Sequence, residues 1–125
     1  MIIVNNLLAE ITKQLRTICP ESYYERNRKT TVIYPYLTFD VDGDNLEVYR
    51  DGFYLDIDIF DINTSFKSIF EIEDRLRIHF RQLAVLTDDF LLQFKVGSSN
   101  KIPTESDNLK RRNLQLYVKV DWRNI

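Results

Sequence analysis

Carboxylates are the residues whose number and spacing in this 125-residue chain could do chemistry. Asp40, Asp42, Asp44, Glu47, Asp51, Asp56, Asp58 and Asp61 crowd one stretch in which Arg50 is the single base. Such oxygens could gather a hard cation. Calcium loops, however, space their ligands regularly and close with a distant Glu, and that grammar is missing around Asp42-Gly43-Asp44. The expected role is a solvated or partner-facing acidic surface, with Asp56 and Asp58 on one side of a strand and repelling each other unless screened.

The opposite charge sits at Lys110-Arg111-Arg112, ahead of the last strand. Runs of this kind are usually exposed and solvated. The functional alternative is that they meet an acidic surface on another copy, as head-to-tail assembly requires. His79 has no partner set nearby in sequence for a triad or a zinc site, so a partly buried structural role is expected. Cys19 is the only cysteine and reads as a small buried residue. Gly43, Gly52 and Gly97 all read as turn residues, too few for a phosphate-cradling loop. Neither a cofactor nor a metal is implied, and an enzyme is not expected for want of a convincing base, nucleophile or ligand set.

Composition narrows the partners. A formal net charge of -2 leaves no basic excess to hold nucleic acid phosphates. The apolar start, Met1 to Val4, is interrupted by Asn5 and Asn6 and does not read as a signal peptide. Nothing approaches the roughly 20 apolar residues of a membrane span, so a soluble protein is expected, and the lone thiol suits a reducing compartment. Eight Phe and seven Tyr are many for so small a chain and favour protein contacts.

The elements that must position these groups follow from hydrophobic period. Ile3, Val4, Leu7, Leu8, Ile11, Leu15 and Ile18 form one stripe of a helix, which Pro20 helps to end. Ser22-Tyr23-Tyr24 reads as a short edge strand and Val32 to Val41 as a longer one, with Pro35 at its start or on an edge. Asp42 to Asn45 and Asp51-Gly52 read as turns, with Leu46, Val48 and Tyr49 as a short strand or flap between them. Phe53 to Ile62 alternates as the strongest strand. Phe66, Ile69, Ile72, Leu76, Phe80 and Leu83 then switch to helical spacing, with Asn63, Thr64 or Ser65 as cap. Phe90 to Val96 and Leu114 to Trp122 alternate again, separated by a polar connection from Gly97 to about Lys110. One α+β domain over 1–125 is expected. It would be a two-layer sandwich whose mostly antiparallel sheet of about four to five strands carries two helices on one face.

This succession resembles the tail-terminator or tail-completion family, minor tail structural proteins of long-tailed bacteriophages and prophages. The likeness lies in the first helix ending near Pro20 and in Tyr34-Pro35-Tyr36-Leu37-Thr38-Phe39. It continues through Arg50 to Asp61, the helix that follows, and the closing strand Arg112 to Trp122. The resemblance implies a virion protein, assembled in the bacterial host cytoplasm, that self-associates as a ring, expected to be hexameric. Such a ring would cap the tail tube protein, serve head-tail joining at the connector, and need no membrane, cofactor or specific nucleic acid. A heterologous interface that closes gives such a ring. Asp40, Asp42, Asp44, Asp51, Lys110, Arg111 and Arg112 are the expected interface residues. The alternative is a monomeric α+β adaptor module whose acidic surface recruits a basic partner.

Overall fold

The computed structural model describes residues 2–47 and 49–123, and the side chains of these except at 2–4 and 44–47. In chain order the elements are α1 (Ile2–Arg16), β1 (Ser22–Tyr24), β2 (Tyr36–Glu47), β3 (Arg50–Ile62), α2 (Lys67–Phe80), β4 (Ala84–Leu86), β5 (Phe90–Ile102) and β6 (Leu109–Trp122). The strands form one six-stranded sheet in the order β1-β2-β3-β6-β5-β4. β1 runs parallel to β2 and every other pairing is antiparallel. The sheet is thus larger than expected and mixed. The extra strand, β4, has three residues with only Val85 half-buried, too short to show a period.

Alternation decides the layers. Leu37 and Phe39 of β2, Leu55, Ile57 and Ile59 of β3, Phe90, Leu92 and Phe94 of β5, and Leu114 to Val120 at every second position of β6 are buried on one face. Leu7, Ile11 and Leu15 of α1 and Ile69, Ile72, Leu76 and Phe80 of α2 join them in a single core. Each such side chain contributes roughly 1.5–3 kcal/mol on burial. The helices are tied to each other where Gln14 Oε1 lies 2.9 Å from His79 Nε2, so His79 takes a partly buried structural place. The other face of the sheet carries no helix and mixes charged with aromatic side chains, Asp40, Asp56 and Asp58 beside Tyr36, Tyr54 and Phe60.

α1 closes sooner than its apolar stripe: the amides of Ile18 and Cys19 fold back on the Leu15 carbonyl at 3.0 and 2.9 Å. At α2 Phe66 stands at the N-cap and makes no side-chain cap bond, while Ser65 Oγ, one of the expected caps, accepts from the Lys67 amide at a long 3.4 Å. The Asn63 side chain instead accepts from the amides of Thr64 at 2.8 Å and Ser65 at 3.4 Å, before the helix begins. A local Asx turn has taken the oxygen that the cap would have used.

Three segments expected as turns or loops are strand. Asp42 to Asn45 pairs with Tyr54 to Asp51, which places Asp42-Gly43 and Asp51-Gly52 inside a long hairpin whose ladder reaches the pair Glu47 and Arg50. Val48 itself lies outside the described residues. Glycine serves here for space: the Phe53 ring lies over Gly43, and the Tyr117 hydroxyl occupies the position, within 1.7 Å, that a Gly52 Cβ would need. An aromatic ring fills each gap left by the missing side chain.

Gly97 to Ile102 likewise continues β5 against β6, with a bulge between Val96 and Ser99. Only residues 103–108 remain as the connection. At the bulge a Cβ on Gly97 would stand 2.7 Å from the backbone carbonyl oxygen of Gln115, which cannot rotate aside. Gly97→Ala is therefore expected to cost about 1–3 kcal/mol through overpacking, measured as a lowered urea midpoint at unchanged slope. An unchanged midpoint would show that the bulge has room to relax.

Candidate functional site

The pleat sorts the charged residues. On the helix-free face, Asp40 of β2 stands directly opposite Asp56 of β3, and Thr38 opposite Asp58. Asp58 is the neutralised one. The Arg111 guanidinium reaches its Oδ2 at 3.2 Å and the Asn113 amide donates to its Oδ1 at 3.2 Å. Glu25, held at φ 66° in the left-handed region, closes the rim with the amide of its own backbone bonded to the Phe39 carbonyl at 2.8 Å. These residues line a shallow groove of about 410 Å³ in which four carboxylates face one guanidinium. Uncompensated acids side by side repel, so the groove favours a cationic occupant.

A second depression of about 390 Å³ lies on the same face between Tyr54, Lys95, Gly97, Gln115 and Tyr117. The two tyrosines pack edge to face with ring centres 4.9 Å apart. Sequence reading passed over this group, although its signal was present: Tyr54, Gln115 and Tyr117 occupy the polar phase of two strands whose apolar phase was read.

The basic run divides between the two faces. Lys110, Arg111 and Arg112 lie within β6, and successive side chains of a strand point to opposite faces. Arg111 joins the acidic groove and stacks 5.3 Å above the Phe60 ring. Arg112 turns under α2, donating from Nε to Glu73 Oε1 at 2.9 Å and lying 4.9 Å from the Phe70 ring. It also donates to Ser99 Oγ at 3.2 Å, which accepts from Arg77 at 3.0 Å. Glu73 is only 5% exposed, so this ion pair is part of the body of the protein. Lys110 donates to the Asp107 carbonyl and sits 5.5 Å from the centre of the Phe66 ring, which Lys101 also approaches at 5.0 Å.

Of the acidic residues expected at an interface, Asp40 and Asp42 are exposed. Asp44 lies in β2 opposite Gly52, and its side chain is outside the described residues. Asp51 is elsewhere: its Oδ2 accepts the Trp122 indole N–H at 2.7 Å, stapling β3 to β6. The seven candidates thus fall into separate neighbourhoods. Asp40 and Arg111 share the acidic groove, whereas Asp51, Lys110 and Arg112 make contacts within the chain.

Cys19 is buried, and burial pushes its thiol above the ordinary range, which keeps it protonated and unreactive. Among the described residues, no three His, Cys, Asp or Glu side chains converge to hold a metal. No helix is long and apolar enough to cross a membrane.

These features define a two-layer α+β domain with one helix-covered face and one bare face that carries an acidic groove and an aromatic one. Neither a protein family nor a curated protein matches the chain by sequence. Its fold recurs in a chain from the virion of a native gene transfer agent particle, at a TM-score of 0.64 and 13% identity, over 86% of this chain and 84% of that one. A further solved structure shares it at a TM-score of 0.70 and 12% identity, covering 94% of this chain and 93% of the other. At such identities the likeness defines the fold alone.

Proposed function

We propose that this chain is a structural subunit of a phage-like virion, acting as a tail-terminator-like ring that caps the tail tube and joins the tail to the head. The observation that carries this reading is the fold shared over 86% of this chain with a chain of a gene transfer agent virion. Supporting it is a surface built for contact: a bare sheet face of about 410 Å³ and 390 Å³ grooves, acidic at one and aromatic at the other. Capping a tube requires two docking faces and a rotation that closes, with no substrate to convert. On this proposal the protein is not an enzyme, uses no cofactor, and resides in the virion after assembly in the host cytoplasm.

Light scattering at several concentrations, alone and with purified tail tube protein, tests the reading. Discrete oligomers, expected as hexamers, or capture by the tube end support it. A chain that remains monomeric and ignores the tube favours instead the adaptor reading, for which the acidic groove is the recruiting surface.

A further inference from the structure

The two edges of the sheet are each only partly covered, and at opposite ends. β1 pairs with Leu37 to Phe39 of β2 and stops, so that among the described residues no further strand pairs with the outer side of 40–47. β4 pairs with Leu91 to Gln93 of β5, and the Phe94 amide adds a bond to the Leu83 carbonyl, leaving the outer side of 95–102 likewise without a strand among the described residues. Long open edges invite pairing with another chain. We infer that these two edges are the joint between copies, with the 40–47 edge of one subunit pairing antiparallel with the 95–102 edge of the next. This inference rests on the assembling-subunit reading and names the surfaces that would carry it out.

Register supports the fit. β2 and β5 run in opposite directions within the sheet, so a neighbour in the same orientation presents an antiparallel partner. Level with Ile102 across the sheet, through Arg111 and Phe60, lies Tyr36. Bringing Ile102 of one copy opposite Asp40 of the next requires a slide of four residues, from 36 to 40. That slide places β1 beyond one end of the new ladder and the neighbour's β4 beyond the other, so neither short strand obstructs pairing. Each subunit contributes β2, β3, β6 and β5 to the continued sheet, four strands for four residues of stagger. At a rise of roughly 3.3 Å per residue and a spacing near 4.8 Å, that ratio tilts the strands by about 35°, within the range of closed barrels whatever the number of copies.

The direction of the backbone amides agrees as well. The Leu37 amide and Phe39 carbonyl bond outward to β1, so by alternation the amides of Gly43 and Asn45 also point to the open edge. Across the bulge, the same reasoning from Phe94 points the amides of Ser99 and Lys101 outward.

Proline removes an outward amide while sparing the inner ladder. Asn45→Pro and Lys101→Pro are therefore the test, with light scattering for assembly and circular dichroism for the fold. Because proline could disturb a strand, amide exchange of Gly43, Asn45, Ser99 and Lys101 in the wild type provides a second measurement. The expected result is oligomers in which these amides slow at least tenfold relative to dilute protein, and folded proline variants that stay monomeric. Oligomers that form with these amides still exchanging freely would overturn the joint while leaving a ring intact. A wild type that is monomeric both alone and with the tube protein would overturn the joint and the ring together.

Discussion

Replacing Phe80 by Ala is expected to destabilise the fold by about 3–5 kcal/mol, the cost of emptying an aromatic site in a close-packed core. Phe80 is fully buried, and its ring meets Phe94 edge to face at 4.9 Å and His79 at the same separation. It ends α2 and is therefore the contact that holds the last turn of the helix on β5. The surroundings cannot collapse into the gap easily, because β5 is held by β4 on one side and β6 on the other. Urea unfolding monitored by circular dichroism measures the loss. For a domain of about this size, it is expected to lower the melting temperature by well over 10 °C. A shift below about 1 kcal/mol would mean that α2 is not packed on the sheet as described.

The second large effect is expected at Arg112, a residue that looks like a surface charge in the sequence. Removing one member of a buried ion pair costs about 3–5 kcal/mol where it strands the other, and here Arg77 Nε remains 3.9 Å from Glu73 Oε2. The side chains of Arg112 and Glu73 are 18% and 7% exposed, so the lower end of that range is expected for Arg112→Ala. Arg111→Ala, whose partner contact is 38% exposed on the arginine side, should cost under about 1 kcal/mol. Reversing both charges would therefore confound assembly with folding, and Arg111 alone is the informative variant for docking. A double-mutant cycle of Arg112→Met with Glu73→Gln isolates the pairing energy. Equal, small losses at both arginines would show that Arg112 is as solvated as its neighbour.

The contrast between these two arginines marks the limit of reading along the chain. Three consecutive bases look like one patch, yet a pleated strand sends neighbours to opposite faces, and only the extent of β6 tells where the strand begins. The same uncertainty of extent affected the glycines. Gly43, Gly52 and Gly97 carry turn chemistry locally, but cross-strand aromatics and the Gln115 backbone occupy the space beside them, so each lies within a ladder. Local signals for turns lost to long-range pairing, whose energy comes from residues far away in sequence. At α2, by contrast, the helix was legible from spacing and only its cap was not, because Asn63 had two local uses for one oxygen.

Period alone determined which residues enter the core, since a two-residue repeat on a strand and a three-to-four-residue repeat on a helix are dictated by backbone geometry. Ile57, Leu76, Phe80 and Val118 could be assigned inward from their neighbours' types, and all four are buried. Tertiary structure decided strand order, the insertion of β6 between β3 and β5, and hence which charges share a face. It also decided that β1 and β4 cover opposite ends of the sheet's two edges. Those outcomes depend on pairing between distant segments, where hydrogen bonds are the same for any sequence and only the fit of whole faces selects the partner.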